Sequence, residues 1–247
     1  MGGGGIIADI KAFMAIPGHP IAYWVKKKCL YAFSKGIAIE KICVVRNGLK
    51  TGDNNEFVRC WFEVSSDNTM LYATDYIMAS HSGKKWFPYN KGGEYRKWFG
   101  NNEYVVNWKD KGYRVIQQAK FEKRNVQDYP DAYKFLPIIT WSLITSYKPS
   151  FRYKRYAISD ICGMSMYGVS DDKFNYYLGF VNSEVALYFL EMFNPTLNFQ
   201  AGDIGRLSLI ECESQKIGSV VDENISLSKH DWDSFETSWD FKKHPLI

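Results

Sequence analysis

Metal ligands are sparse in this 247-residue chain. Its four histidines, His19, His81, His230 and His244, are scattered, with no HExxH pair and no cluster with cysteine, so the spacing that a closed zinc site requires is missing. The cysteines, Cys29, Cys43, Cys60, Cys162 and Cys212, are five in number and form no CxxC. They read as reduced, mostly core residues rather than a disulfide framework. No apolar run approaches the roughly 20 residues that span a bilayer, and Met1 to Lys11 lacks the basic segment that precedes the apolar stretch of a signal peptide. A cytoplasmic location with no membrane attachment is therefore the default expectation. With 8 Pro and 19 Gly, the composition suits neither a disordered nor a fibrous chain.

Aromatic residues are abundant. Eight Trp, 17 Tyr and 16 Phe within a 46% hydrophobic chain can fill a substantial core, in one large domain or two small ones. The net charge of +4 conceals an asymmetry: residues 1–210 carry 27 basic and 19 acidic side chains, and residues 211–247 carry 4 basic and 8 acidic. Within the basic body, Lys84, Lys85, Lys91, Arg96 and Lys97 surround a single acid, Glu94, while Lys148, Arg152, Lys154 and Arg155 have no acid among them. Concentrated patches of this kind suit a polyanion; the same charges also make an ordinary solvated face.

Periodicity gives a coarse order of elements. Pro20 to Gly36 reads as an amphipathic helix with Lys26 to Lys28 on its outer face. Strands are expected at Lys41 to Val45, Glu56 to Val64, Gly112 to Gln117, Ile138 to Thr145, Phe151 to Tyr156, Ala157 to Ile161 and Tyr176 to Val181. Gly92-Gly93 and Gly100-Asn101 mark turns, Asp53 suits a turn or a domain junction, and Gln118 to Asp131 reads as a helix or an insertion. A helix capped by Asn182 or Ser183 should turn Val185, Phe189, Met192 and Phe193 inward and stop at Pro195, followed by a loop to Gly205. The mixture predicts an α+β fold, an irregular mixed-strand domain with flanking amphipathic helices. Three segments are expected: a leader at 1–15, the domain at 16–210 and an acidic, aromatic docking segment at 211–247.

Several long blocks carry more specific information: IPGHPIAYWV at 16–25, GLKTGDNNEFVRCWFEV at 48–64, KKWFPYNKGGEYRKWFGNNEYVVNW at 84–108, ITWS at 139–142, NSEVALYFLEMFNPTLNFQAGDIGRL at 182–207 and HDWDSFETSWDF at 230–241. In content and order they resemble the large adenine-specific DNA methyltransferases of the BREX phage-defence systems, the PglX family. The resemblance places them after the catalytic domain, in a target-recognition-like region. It implies double-stranded DNA as ligand, the absent methyltransferase domain and other defence proteins as partners, and S-adenosyl-L-methionine as cofactor of the full-length enzyme. Family members hold the adenine amino group with an Asn-Pro-Pro-Tyr loop; this chain has no Pro-Pro pair, and its one Asn-Pro, Asn194-Pro195, continues as Thr196-Leu197. Its MGGGGII start does not match the family's cofactor loop either. Methyl transfer needs donor and extruded adenine in one pocket, so no catalytic, cofactor-binding or metal-binding residues are expected here and the chain should be inactive alone.

The candidate DNA-binding residues are Lys84, Lys85, Lys91, Arg96, Lys97, Lys148, Arg152 and Lys154 from the basic clusters, and Asn198, Gln200 and Arg206 from the block after the last helix. For the first group, phosphate contact stands against a solvated surface. For the second, recognition stands against loop closure. Trp86 and Trp98 fit core packing better than base stacking. The rival reading is a protein-interaction module, for which the acidic aromatic segment is the best support.

Overall fold

A computed structural model describes residues 25, 27–123, 127–194, 196–212 and 215–247. The expected leader, the helix start at Pro20 and the stop at Pro195 lie outside these residues. Helix α1 (Lys27–Lys35) ends where Gly36 donates its N–H to Ala32 O at 2.8 Å. There follow β1 (Ile37–Ala38), β2 (Val44–Arg46), α2 (Asn54–Phe57), β3 (Val58–Cys60), α3 (Tyr76–His81), β4 (Trp86–Asn90), β5 (Tyr104–Asn107) and α4 (Lys109–Phe121). The second half contains β6 (Ile138–Ser142), β7 (Phe151–Lys154), β8 (Ile158–Ser159), β9 (Gly163–Tyr167), α5 (Asp171–Val181), α6 (Glu184–Phe193), α7 (Ala201–Gly205), β10 (Ser208–Leu209) and α8 (Gln215–Trp232). The chain is α+β.

Two four-stranded sheets organise it. One runs β2-β9-β6-β7, antiparallel throughout; the other runs β3-β5-β4-β8, with β4 and β8 parallel. The first sheet turns Ile139, Trp141, Phe151 and Met166 into a core shared with Phe189 and Leu190 of α6. The second packs Phe57, Phe87, Val106, Val115 and Phe135 into another. Every residue of β4, β6 and β9 is buried, so these central strands are covered on both faces. A polar seam joins the sheets: Asn90 Nδ2 donates to Thr140 Oγ1 at 2.7 Å and to Gly163 O at 3.1 Å, Thr140 Oγ1 donates to Met164 O at 2.8 Å, and Ser159 and Ser165 hydroxyls meet at 3.2 Å. These bonds satisfy the buried donors of the seam.

Several elements differ from the sequence reading. Most of the strand expected at Glu56 to Val64 is absent, because Asp53 caps a helical turn by accepting from Glu56 N at 3.0 Å and leaves only β3 extended. The region read as strand at Gly112 to Gln117 is instead the helical part of α4 that follows a left-handed kink at Asp110 to Gly112, and its Val115 and Ala119 fall on one buried face. The strand expected at Tyr176 to Val181 is the second half of α5; Asp171 and Asp172 favour its N-terminus, and Phe174, Tyr177, Leu178 and Val181 are buried at helical spacing. β9 was not expected at all, and α7 occupies part of the expected loop. The cap of α6 is Ser183, which accepts from Ala186 N at 3.2 Å. Phe189 and Met192 point inward as expected, whereas Val185 is 55% exposed. No cysteine is fully buried, and Cys162 and Cys212 are exposed.

The acidic segment docks on the chain's own body. Val221 of α8 packs against Gly179 of α5, where an added Cβ would lie 3.0 Å from the Val221 methyl. Trp232 is buried, Asn175 Nδ2 donates to Asp222 Oδ1 at 2.7 Å, and Trp61 Nε1 donates to Thr237 O at 2.9 Å. Among the described residues no helix is long and apolar enough to cross a membrane.

Candidate nucleic-acid interface

The four expected turn positions all have left-handed backbone, with φ of 84° at Gly92, 112° at Gly93, 122° at Gly100 and 56° at Asn101. They fold the basic aromatic block back on itself. Trp98, also left-handed, is fixed by bridging to β7: its N–H donates to Phe151 O at 2.9 Å and its carbonyl accepts from Tyr153 N at 2.8 Å. Trp86 is buried and Trp98 packs against the first core.

This folding separates the candidate cations into interior and surface sets. Arg152 is 0% exposed and Lys154 is 4% exposed. Arg152 donates to Arg96 O at 3.2 Å, Ser150 Oγ at 3.3 Å and Ser142 Oγ at 3.1 Å, and Lys154 Nζ donates to Asn101 O at 2.6 Å. They share a face, as the alternation implied, but that face meets the polar seam and the folded-back block rather than solvent. Neither reaches the outer surface, where a DNA backbone would lie. Burial lowers the Arg152 pKa to about 10. For Lys154, burial first and the neighbouring Arg152 charge second bring the pKa down to about 7, against a weaker pull from Glu103.

The remaining cations are partly accessible. Lys85 Nζ lies 4.8 Å from the Trp86 ring centroid and Lys91 Nζ 5.9 Å from that of Tyr104. Lys84 donates to Asp67 O. Arg96 pairs with Asp231 at 2.7 Å and lies over the Trp232 ring at 5.1 Å, so it anchors the acidic segment. Lys97 Nζ donates to Asn182 O at 2.9 Å, and Lys148 lies 3.9 Å from Glu184.

Two small clefts collect several of them. The first, about 150 Å³, is lined by Lys50, Thr51, Gly52, Asn54, Lys91 and Asp160. It joins the 48–64 block to the 84–108 block, because Tyr89 Oη donates to Leu49 O at 2.9 Å and Leu49 N to Ser159 O at 2.7 Å. Gly52, at φ 85°, brings bare backbone to its rim. The second, about 140 Å³, brings Lys97 and Lys148 together with Tyr95 and Tyr147 at the start of α6. Lys50 was missed by the sequence reading; its place next to a Gly-containing turn was the available signal.

The loop residues have local duties. Gln200 N donates to Asp203 Oδ2 at 2.9 Å, while Gln200 Nε2 donates to Asn198 Oδ1 at 2.9 Å. Arg206 pairs with Asp203 at 2.5 Å and donates to Gly202 O at 3.1 Å. Asn198 and Gln200 are nevertheless exposed. Asn194 donates to Asp203 Oδ2 at 2.9 Å, and its Oδ1 accepts from Thr196 N at 2.9 Å. That amide closes a turn and does not fit a role in holding a substrate amino group. Among the described residues no group of three His, Cys, Asp or Glu side chains could hold a metal ion.

Against known proteins, the chain is 35% identical over 244 residues to an adenine-specific methyltransferase PglX of Lacticaseibacillus casei (strain Zhang), covering 95% of this chain and 20% of the relative. This chain is homologous to part of that methyltransferase. It is also 34% identical over 239 residues to the adenine-specific methyltransferase BrxX of Escherichia coli O9:H4 (strain HS), covering 95% of this chain and 18% of the relative. The chain thus spans about a fifth of the length of the PglX and BrxX proteins it matches. No family model matches it.

Proposed function

We propose that this chain is the DNA target-recognition part of an N6-adenine-specific DNA methyltransferase that acts in phage defence in the cytoplasm. It binds duplex DNA and orients it so that the methyltransferase domain, where S-adenosyl-L-methionine supplies the methyl group, can extrude one adenine. The cleft of Lys50, Gly52 and Lys91 carries the reading, because it places two ammonium groups and an exposed glycine turn together between two of the longest family-like blocks. Phosphate oxygens are recognised by such groups. Lys97 and Lys148 supply a second contact of the same kind, with Lys84 and Lys85 as flanking charges. These contacts set register; sequence must be read by groups that reach base edges, for which the exposed Asn198 and Gln200 have suitable amides.

The docked acidic segment weighs against the scaffolding alternative. Asp231, Asp240 and Trp232 already have partners within the chain. Fluorescence anisotropy with a duplex carrying the methylation site of a full-length relative, against a scrambled duplex, tests the proposal. Tighter, salt-sensitive binding of the cognate duplex is expected; absence of binding by folded protein at low salt contradicts it.

A further inference from the structure

A third cavity, about 170 Å³, lies between the body and the C-terminal segment. Its aromatic walls are Tyr72, Phe99, Tyr153, Tyr156 and Trp239. All five are at least partly accessible; Tyr153 also packs against the first core, and the other four belong to neither core. Tyr72 and Tyr156 meet edge to face at 5.7 Å, and the Arg155 guanidinium lies 5.0 Å from the Tyr156 centroid. Flat π-faces of this kind are the surfaces on which heterocycles stack.

The polar groups in the lining select among planar ligands. Three are cations, Lys154, Arg155 and Lys229, and one is an acid, Asp240. Asp240 is already engaged, accepting from Tyr72 Oη and pairing with Lys229 at 3.1 Å. An aromatic cage for an ammonium ligand would need the opposite balance, because like charges repel. Asn102 is 9% exposed and its side chain makes no hydrogen bond with the described residues. Lys154 uses one donor on Asn101 O and makes no ion pair with the described residues. Both line the cavity with hydrogen-bonding capacity to spare. They offer donors, with one amide acceptor, to the edge of a stacked ring.

We propose that this cavity binds a single nucleobase, stacked between the aromatic walls with its acceptor-rich edge toward Asn102 and Lys154. The volume suits one heterocycle and excludes a dinucleotide. The base comes either from a free nucleotide or from DNA by extrusion. The site rests on its own geometry, and only the second source rests on the DNA-recognition reading.

Titration of the 247-residue protein with the four deoxynucleoside monophosphates, followed by NMR at the Trp239 indole, tests the free-nucleotide arm. Steady-state fluorescence of duplexes carrying 2-aminopurine at successive positions tests the extrusion arm. Saturable binding in either arm is expected, weakened at least about tenfold by Tyr156→Ala, since a stacking partner is lost, and weakened also by Lys154→Met. Tyr156 sits on the wall rather than in the core, so its variant reports on the site independently of the change in stability that Lys154→Met brings. Binding in neither arm, or binding indifferent to Tyr156→Ala, overturns the proposal. Mononucleotide binding without duplex binding would retain this site and reject the DNA reading; duplex binding with neither signal would do the reverse.

Discussion

Lys154 shows what the amino-acid sequence discloses and conceals about a single residue. Its place on β7, on the same face as Arg152, follows from strand alternation. Its burial does not, because the covering surface is the turn at Gly100-Asn101, some fifty positions away in the chain. In an unfolded chain a lysine titrates near 10.5, whereas here burial brings it to about 7. Between those values the unfolded state holds a proton that the folded state has released, so stability rises with pH; below about 7 both are charged and the cost of burial is felt in full. Lys154→Met should therefore raise the melting temperature most in mildly acidic buffer, with the gain shrinking as pH approaches about 10. A pH-independent difference would contradict this. Lys134 is a contrasting buried cation, bonded to Asp131 at 2.7 Å, Asp128 at 3.1 Å and Tyr129 O at 2.8 Å. Loss of this centre in Lys134→Ala should cost about 3 kcal/mol in urea unfolding, since three acceptors and the packing around the stem lose their partner together.

Among the elements, α6 was legible because its Ser183 cap and the inward Phe189 and Met192 agree locally, and α5 was not because its first turn is polar. Its reading as a strand began at Tyr176, after Asp171 and Asp172 had already started the helix. β9 was hidden for a different reason: Gly-Met-Ser-Met-Tyr has no strong strand propensity, and it is extended because β2 and β6 flank it. Its first residue explains the glycine. A Cβ at Gly163 would lie 2.0 Å from Asn90 O, whereas one at Gly202 in α7 would meet nothing within 4 Å. Gly163→Ala should thus destabilise by about 3 kcal/mol by forcing the two sheets apart, while Gly202→Ala should be neutral or slightly stabilising; thermal melts of the pair compare them directly.

For the whole molecule, charge and its placement are separate matters. The basic body and acidic segment were visible in composition, but the segment turns out to neutralise part of that body, with Asp231 on Arg96 and Glu211 on Lys173. Arg96, Arg152 and Lys154 looked equivalent to Lys91, Lys97 and Lys148 because charge clusters in sequence carry no information on which side chains a fold will cover. The structure leaves two lysine pairs at clefts, Lys50 with Lys91 and Lys97 with Lys148. The direct measurement is the dependence of duplex affinity on salt concentration for the unaltered chain, for Lys50→Ala/Lys91→Ala and for Lys97→Ala/Lys148→Ala. Each lysine that meets a phosphate contributes roughly one unit to the slope of log affinity against log salt. The account predicts slopes about two units shallower in both double variants; slopes identical to that of the unaltered chain would contradict it.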